Sequence, residues 1–142
     1  VPTAPSVIFT NNGLTPWQNP EEARTIQVKF PNATGAVAKG TVIGQLTGVG
    51  TNWGAYNDGV ATGLEVARAI LQYDVYVDAN GVHTITGAGS TQGEKGEKAE
   101  GCPAFVAGTF ATAELVGLNA AGVTDLGRLI QGTLADGILR MG

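Results

Sequence analysis

The sequence predicts a β-rich α+β fold: a compact mixed body of short strands, with one or two short helices near the carboxyl terminus, preceded by an extended amino-terminal arm. Three observations carry that expectation. Short β-prone runs, several bent or bounded by glycine, recur between residues 25 and 110. An apolar stripe at helical spacing, Val123, Leu126 and Ile130, is confined to the last quarter of the chain. Four of the six prolines, Pro2, Pro5, Pro16 and Pro20, fall in the first 24 residues. Proline is excluded from helix interiors and central strands, so this segment is set apart from the rest. The division is an arm over residues 1–24 and a single body over residues 25–142.

Within the arm, Ser6-Val-Ile-Phe-Thr10 is a β-prone run followed by the turn signal Asn11-Asn-Gly13. A strand this short cannot satisfy its backbone alone. It joins either the chain's own sheet or, by β-augmentation, the sheet of a partner. In residues 25–30, Ile26, Val28 and Phe30 alternate with Thr25, Gln27 and Lys29, the pattern of a half-buried strand. Residues 41–46 form a second strand, in which Gly44 marks a bulge or a close backbone approach. Residues 48–63 are rich in Gly, Asn and Asp and predict a long loop carrying Trp53 and Tyr56. Residues 66–77 predict a strand, although Val66, Ala69, Ile70 and Tyr73 also fit helical spacing. Asp78-Ala-Asn-Gly81 is a hairpin turn, returning through a strand at residues 82–85. Residues 87–101, which alternate Glu with Lys, predict a solvated loop, and residues 103–110 a further strand. Thr112 is placed as the cap of a short helical turn containing Leu115. Asn119 caps the main helix, which ends at Gly132. Residues 138–141 close the chain as a short strand.

Composition narrows the function. The 142 residues are 43% hydrophobic but only 14% charged, against roughly 25% in an average soluble domain. The 22 glycines are more than twice the share expected from a usage of about 7%. Little surface charge opposes association, so the chain is expected to work packed against other subunits. Twelve acids against eight bases give a net charge of −4 with no basic cluster, which argues against nucleic acid as a partner. No apolar stretch approaches the roughly 18 residues of a membrane span. One cysteine, Cys102, excludes an internal disulfide.

Candidate chemistry is sparse, and no catalytic residues, metal ligands or cofactor are expected. Glu94-Lys-Gly-Glu-Lys98 superficially suggests a phosphate loop, but no Ser or Thr follows its lysines and the run is acidic. The lone His83 lacks triad partners and is expected as an exposed strand residue. Cys102 is a small filler, not a nucleophile. Asp74, Asp78, Glu114, Asp125 and Asp136 are too scattered to suggest acid–base work, and Asp74 is a candidate to hold a loop or to pair with Arg68. Trp17, Trp53 and Tyr56 are candidate interface anchors, since loop aromatics desolvate much area at little entropic cost. For Trp53, lidding the chain's own core is an equal alternative.

Read in order, several runs have a familiar shape. Gly40-Thr-Val-Ile-Gly-Gln-Leu is followed by the Gly/Asn segment with Trp53 and Tyr56. Val66-Ala-Arg-Ala-Ile-Leu-Gln-Tyr-Asp-Val and Phe105-Val-Ala-Gly-Thr-Phe come next. Together with Leu115-Val-Gly-Leu-Asn and Leu129-Ile-Gln-Gly-Thr-Leu-Ala-Asp-Gly-Ile-Leu, this order resembles the lambda-type phage head decoration proteins, across residues 36–141. The resemblance implies a structural virion protein: a homotrimeric cement protein on the outer surface of the expanded capsid, assembled in the host cytoplasm. It also implies an arm that adds as a strand to the major capsid protein, through Ser6, Val7, Ile8, Phe9 and Thr10. The chain departs from lambda's own protein in the Gly/Glu/Lys loop at 89–101 and in the tail. The alternative is a glycan- or host-surface-binding β module, with Trp53, Tyr56 and the nearby Asn and Asp residues as its platform.

Overall fold

The computed structural model describes residue 14 and residues 23–48, 52–86, 97–126 and 138–141. Two antiparallel sheets make the body, so the β-rich expectation holds. The larger sheet runs β1 (Arg24–Val28), β9 (Cys102–Ala111), β5 (Ala69–Leu71), β3 (Val42–Gln45), β4 (Trp53–Ala55), and β10 (Ile138–Met141) also pairs with β9. The smaller runs β2 (Gly35–Val37), β6 (Asp74–Val77), β7 (His83–Thr86), β8 (Glu97–Ala99). One helix, α1 (Ala120–Leu126), lies near the carboxyl end of the described chain, after a 3-10 turn at Thr112–Glu114.

Burial patterns explain which strands are which. Along β6 exposed and buried residues alternate, as a sheet with one wet face requires. All three residues of β5 are buried, because the larger sheet is covered on both faces. Ala69, Leu71, Ile43 and Ala104 point into a first core cluster, where they meet Val75, Val77 and Ile85 of the smaller sheet. Their neighbours Ile70, Val42 and Phe105 point the other way, into a second cluster with Phe110, Leu126 of α1 and Leu14. Burying a side chain of this size contributes roughly 1.5–3 kcal/mol, so the two clusters dominate the folding free energy.

Several expectations need correction. The strand expected at 66–77 is two strands in different sheets. The chain leaves the larger sheet after Leu71 and enters the smaller one at Asp74. Residues 66–68 are neither strand nor helix: the Ala67 N–H donates to Asp125 Oδ2 (2.9 Å) and the Arg68 N–H to the Ile43 carbonyl (2.9 Å). The expected loop at 48–63 contains β4, whose Gln45↔Trp53 register ties it to β3. The expected loop at 87–101 contains β8, paired with β7. Val28 in β1 and Phe30 just past it are buried as expected, but Ile26 is 39% exposed, because cover fails on this edge strand. Ala111, not Thr112, occupies the cap position of the 3-10 turn.

Other elements stand where expected. Gly44 is a close approach: a Cβ there would lie 2.7 Å from the Val66 carbonyl oxygen. In the 74–86 hairpin, Asp78 Oδ1 accepts from the N–H groups of Asn80 and Val82 (2.9 Å each), and Gly81 takes φ +85°. Asn119 caps α1, its Oδ1 accepting the Gly122 N–H at 2.8 Å. The Ile130 and Gly132 end of that helix lies outside the described residues.

Candidate functional site

Three of the described acids among the candidates serve the backbone. Asp74 Oδ1 accepts the Lys39 N–H (2.9 Å), Asp78 closes its hairpin, and Asp125 holds residue 67, joining α1 to the larger sheet. A carboxylate accepting backbone N–H bonds satisfies donors that a turn would otherwise strand. Asp74 therefore holds a loop, one of its two expected roles. Glu114 lies exposed in the 3-10 turn, and Asp136 lies outside the described residues. Among the described residues no group of three His, Cys, Asp or Glu side chains converges to hold a metal ion.

His83 corrects the sequence most sharply. It is fully buried, not exposed. Its Nε2 accepts the Phe30 N–H at 3.0 Å, so Nδ1 carries the proton and donates it to the Gly81 carbonyl at 2.9 Å. The ring stacks on Phe30 with centroids 6.0 Å apart. His83 thus links the hairpin of the smaller sheet to the end of β1. Cys102 is also fully buried, and desolvation pushes its thiol up to about 12, which disfavours the nucleophilic thiolate.

The arm residues Ser6, Val7, Ile8, Phe9 and Thr10, and Trp17, lie outside the described residues. Leu14 does not. It is buried in the second cluster, and its N–H donates to the Gln72 carbonyl at 2.6 Å. Trp53 (7% exposed) packs in the first cluster and Tyr56 (8% exposed) in the second. Trp53 therefore contributes to the chain's own core. Both rings are largely covered by the chain itself.

Beside Tyr56, however, an open depression of about 430 Å³ forms between the 57–64 turn and the segment leading into α1. Ala55 and Leu64 supply its apolar lining, and Asn57, Asp58 and Asn119 its polar lining. The Tyr56 hydroxyl donates to Asn119 Oδ1 at 2.9 Å, and Asn119 Nδ2 donates to Asp58 Oδ2 at 2.8 Å. Burial, then the charges of Asp58 and Asp125, raise the Tyr56 pKa, which keeps the phenol protonated and donating. The depression was only half legible. Asn57-Asp-Gly59 is a plain turn signal and Asn119 a plain cap, but nothing local shows that residues 61 positions apart share one network.

Comparison with protein-family models, with characterised proteins and with solved structures finds no match to this chain.

Proposed function

We propose that this chain is a capsid decoration protein of the lambda type. In this proposal a homotrimer binds the outer surface of the expanded phage head at three-fold and quasi-three-fold positions and stabilises it against the pressure of packaged DNA. One observation carries most of the support: runs that bear the resemblance fall on β3, β4, β5 and β9, which are successive hydrogen-bonded neighbours in one sheet. Segments scattered along the sequence thereby lie side by side in one sheet, as a shared body demands. The anchoring of Leu14 adds to this. Residues 6–10 lie within eight positions of this anchor on the body, and so within roughly 30 Å of it. That reach suits a strand donated to the major capsid protein by residues 6–10, with Trp17 as a nearby anchor.

The mechanism is thermodynamic linkage. A ligand that binds only the expanded lattice stabilises that lattice, and a trimer bridging several capsid subunits multiplies modest contacts by avidity. The test mixes purified protein with expanded and unexpanded shells assembled from the cognate major capsid protein. Full-length protein is expected to saturate expanded shells alone, in multiples of three copies. A truncation lacking residues 1–10 is expected to fold and yet fail to bind. Saturation by the truncated protein would remove the role of the arm. Failure of the full-length protein on both shells would remove the decoration role itself.

A further inference from the structure

We propose that the depression beside β4 binds a neutral, hydroxyl-rich ligand, a saccharide, through Asn57, Asp58 and Asn119. This goes beyond the capsid role and rests on different residues.

The polar groups are held in place before any ligand arrives. Two donors, the Tyr56 hydroxyl and the Gly122 N–H, converge on one atom of the Asn119 amide, which fixes that atom as oxygen. The amide nitrogen therefore faces Asp58 and holds its Oδ2 at 2.8 Å. Asn57 is pinned in turn by the Gly59 N–H on its Oδ1 at 2.9 Å. What remains is complementary: Asp58 Oδ1 as an acceptor, and Asn57 Nδ2 and the second Asn119 N–H as donors. Among the described residues these three have no partner, and all three side chains are exposed. The helix contributes only the Asn119 side chain, not its backbone N–H groups.

The chemistry selects the ligand class. An anion meets the Asp58 carboxylate on a chain of net charge −4. A metal ion finds one carboxylate and no further charged ligand. A wholly apolar ligand would strip water from Asp58 and Asn57 without replacing their hydrogen bonds. Neighbouring hydroxyls satisfy the site, because each can donate to the carboxylate and accept from an amide N–H. Ala55 and Leu64 then meet the C–H face of the ring. The volume, about 430 Å³, lies in the roughly 300–1,000 Å³ range of small-molecule sites.

The test uses the isolated chain without shells, so its failure and that of the decoration proposal are separable. Amide shifts are followed by NMR as the methyl glycosides of glucose, galactose and mannose are added. Saturable shifts at residues 57–59, 117 and 119, with a millimolar Kd for at least one glycoside, are expected. Asp58→Asn is expected to weaken binding about tenfold or more, as loss of a charged hydrogen bond implies. Asn57→Ala, at a second exposed position, is a separate check should Asp58→Asn disturb the fold. Absence of saturable shifts with all three glycosides overturns the proposal. So does binding that both folded variants leave unchanged.

Discussion

Cys102 shows how much one residue's surroundings can store. Its side chain is fully buried in the first core cluster, and burial moves the thiol from an ordinary 9.0 to about 12. The folded chain then holds that proton more tightly than the unfolded chain. The stability this confers is complete below about pH 9 and is lost as pH rises from there towards 12. In urea titrations at a series of pH values, the wild type should lose about 1.4 kcal/mol per pH unit above pH 9 relative to Cys102→Ala. Equal slopes for the two proteins would show that the thiol does not titrate across folding. The filler role was legible in the sequence from residue type alone. The size of the shift was not, because it depends on neighbours from strands far along the chain.

At the scale of elements, the two sheets are joined by packing and by one hydrogen-bonded ring. His83 belongs to β7 of the smaller sheet, yet its Nε2 accepts the N–H of Phe30, two residues past β1 of the larger one. Truncating it to alanine leaves a cavity and a buried N–H without its acceptor, for a cost of about 3 kcal/mol. Hydrogen exchange should report the same event locally, with the Phe30 amide losing more protection in His83→Ala than amides of β5. His83→Gln, which keeps a donor and an acceptor, should recover part of the loss. Unchanged protection at Phe30 would remove the bridging role. The hairpin carrying His83 was legible because Asp78-Ala-Asn-Gly81 encodes its turn within four residues. The burial of His83 was not, since its partner lies 53 positions away. The break of residues 66–77 into two strands was not legible for the same reason: at the divide after Leu71 the Gln72 carbonyl accepts from the Leu14 N–H and the Gln72 N–H donates to the Pro103 carbonyl, both partners remote in sequence. Composition misled at Trp53 as to the element alone: Gly and Asn neighbours signal a loop where β4 forms, while core burial of the ring was one of its two expected roles.

For the whole molecule, Leu14 is the earliest described residue of the core, ten positions ahead of β1. It sits with Ile70, Phe105 and Leu126 over the helix-bearing face of the larger sheet. Leu14→Ala should therefore cost about 2–3 kcal/mol in chemical denaturation, as a core truncation does. A change under about 0.5 kcal/mol, the usual effect of a surface substitution, would place it outside the core. The β-rich class and the carboxyl-terminal helix were readable from local pattern. Coverage of the larger sheet on both faces was not, because continuous apolar runs such as residues 69–71 fit a buried strand and a buried helix alike. The pairing of β9 has a consequence in time. Its first half takes β1 from near the start of the chain, and its second half takes β10 from the end. Among the described residues β1 pairs with β9 alone, so that pairing waits until some 75 residues more have emerged, whereas the β6–β7 hairpin can close on itself at once. The described body is thus assembled from the middle outwards, and β1 and β10, more than a hundred positions apart, both wait on a single strand.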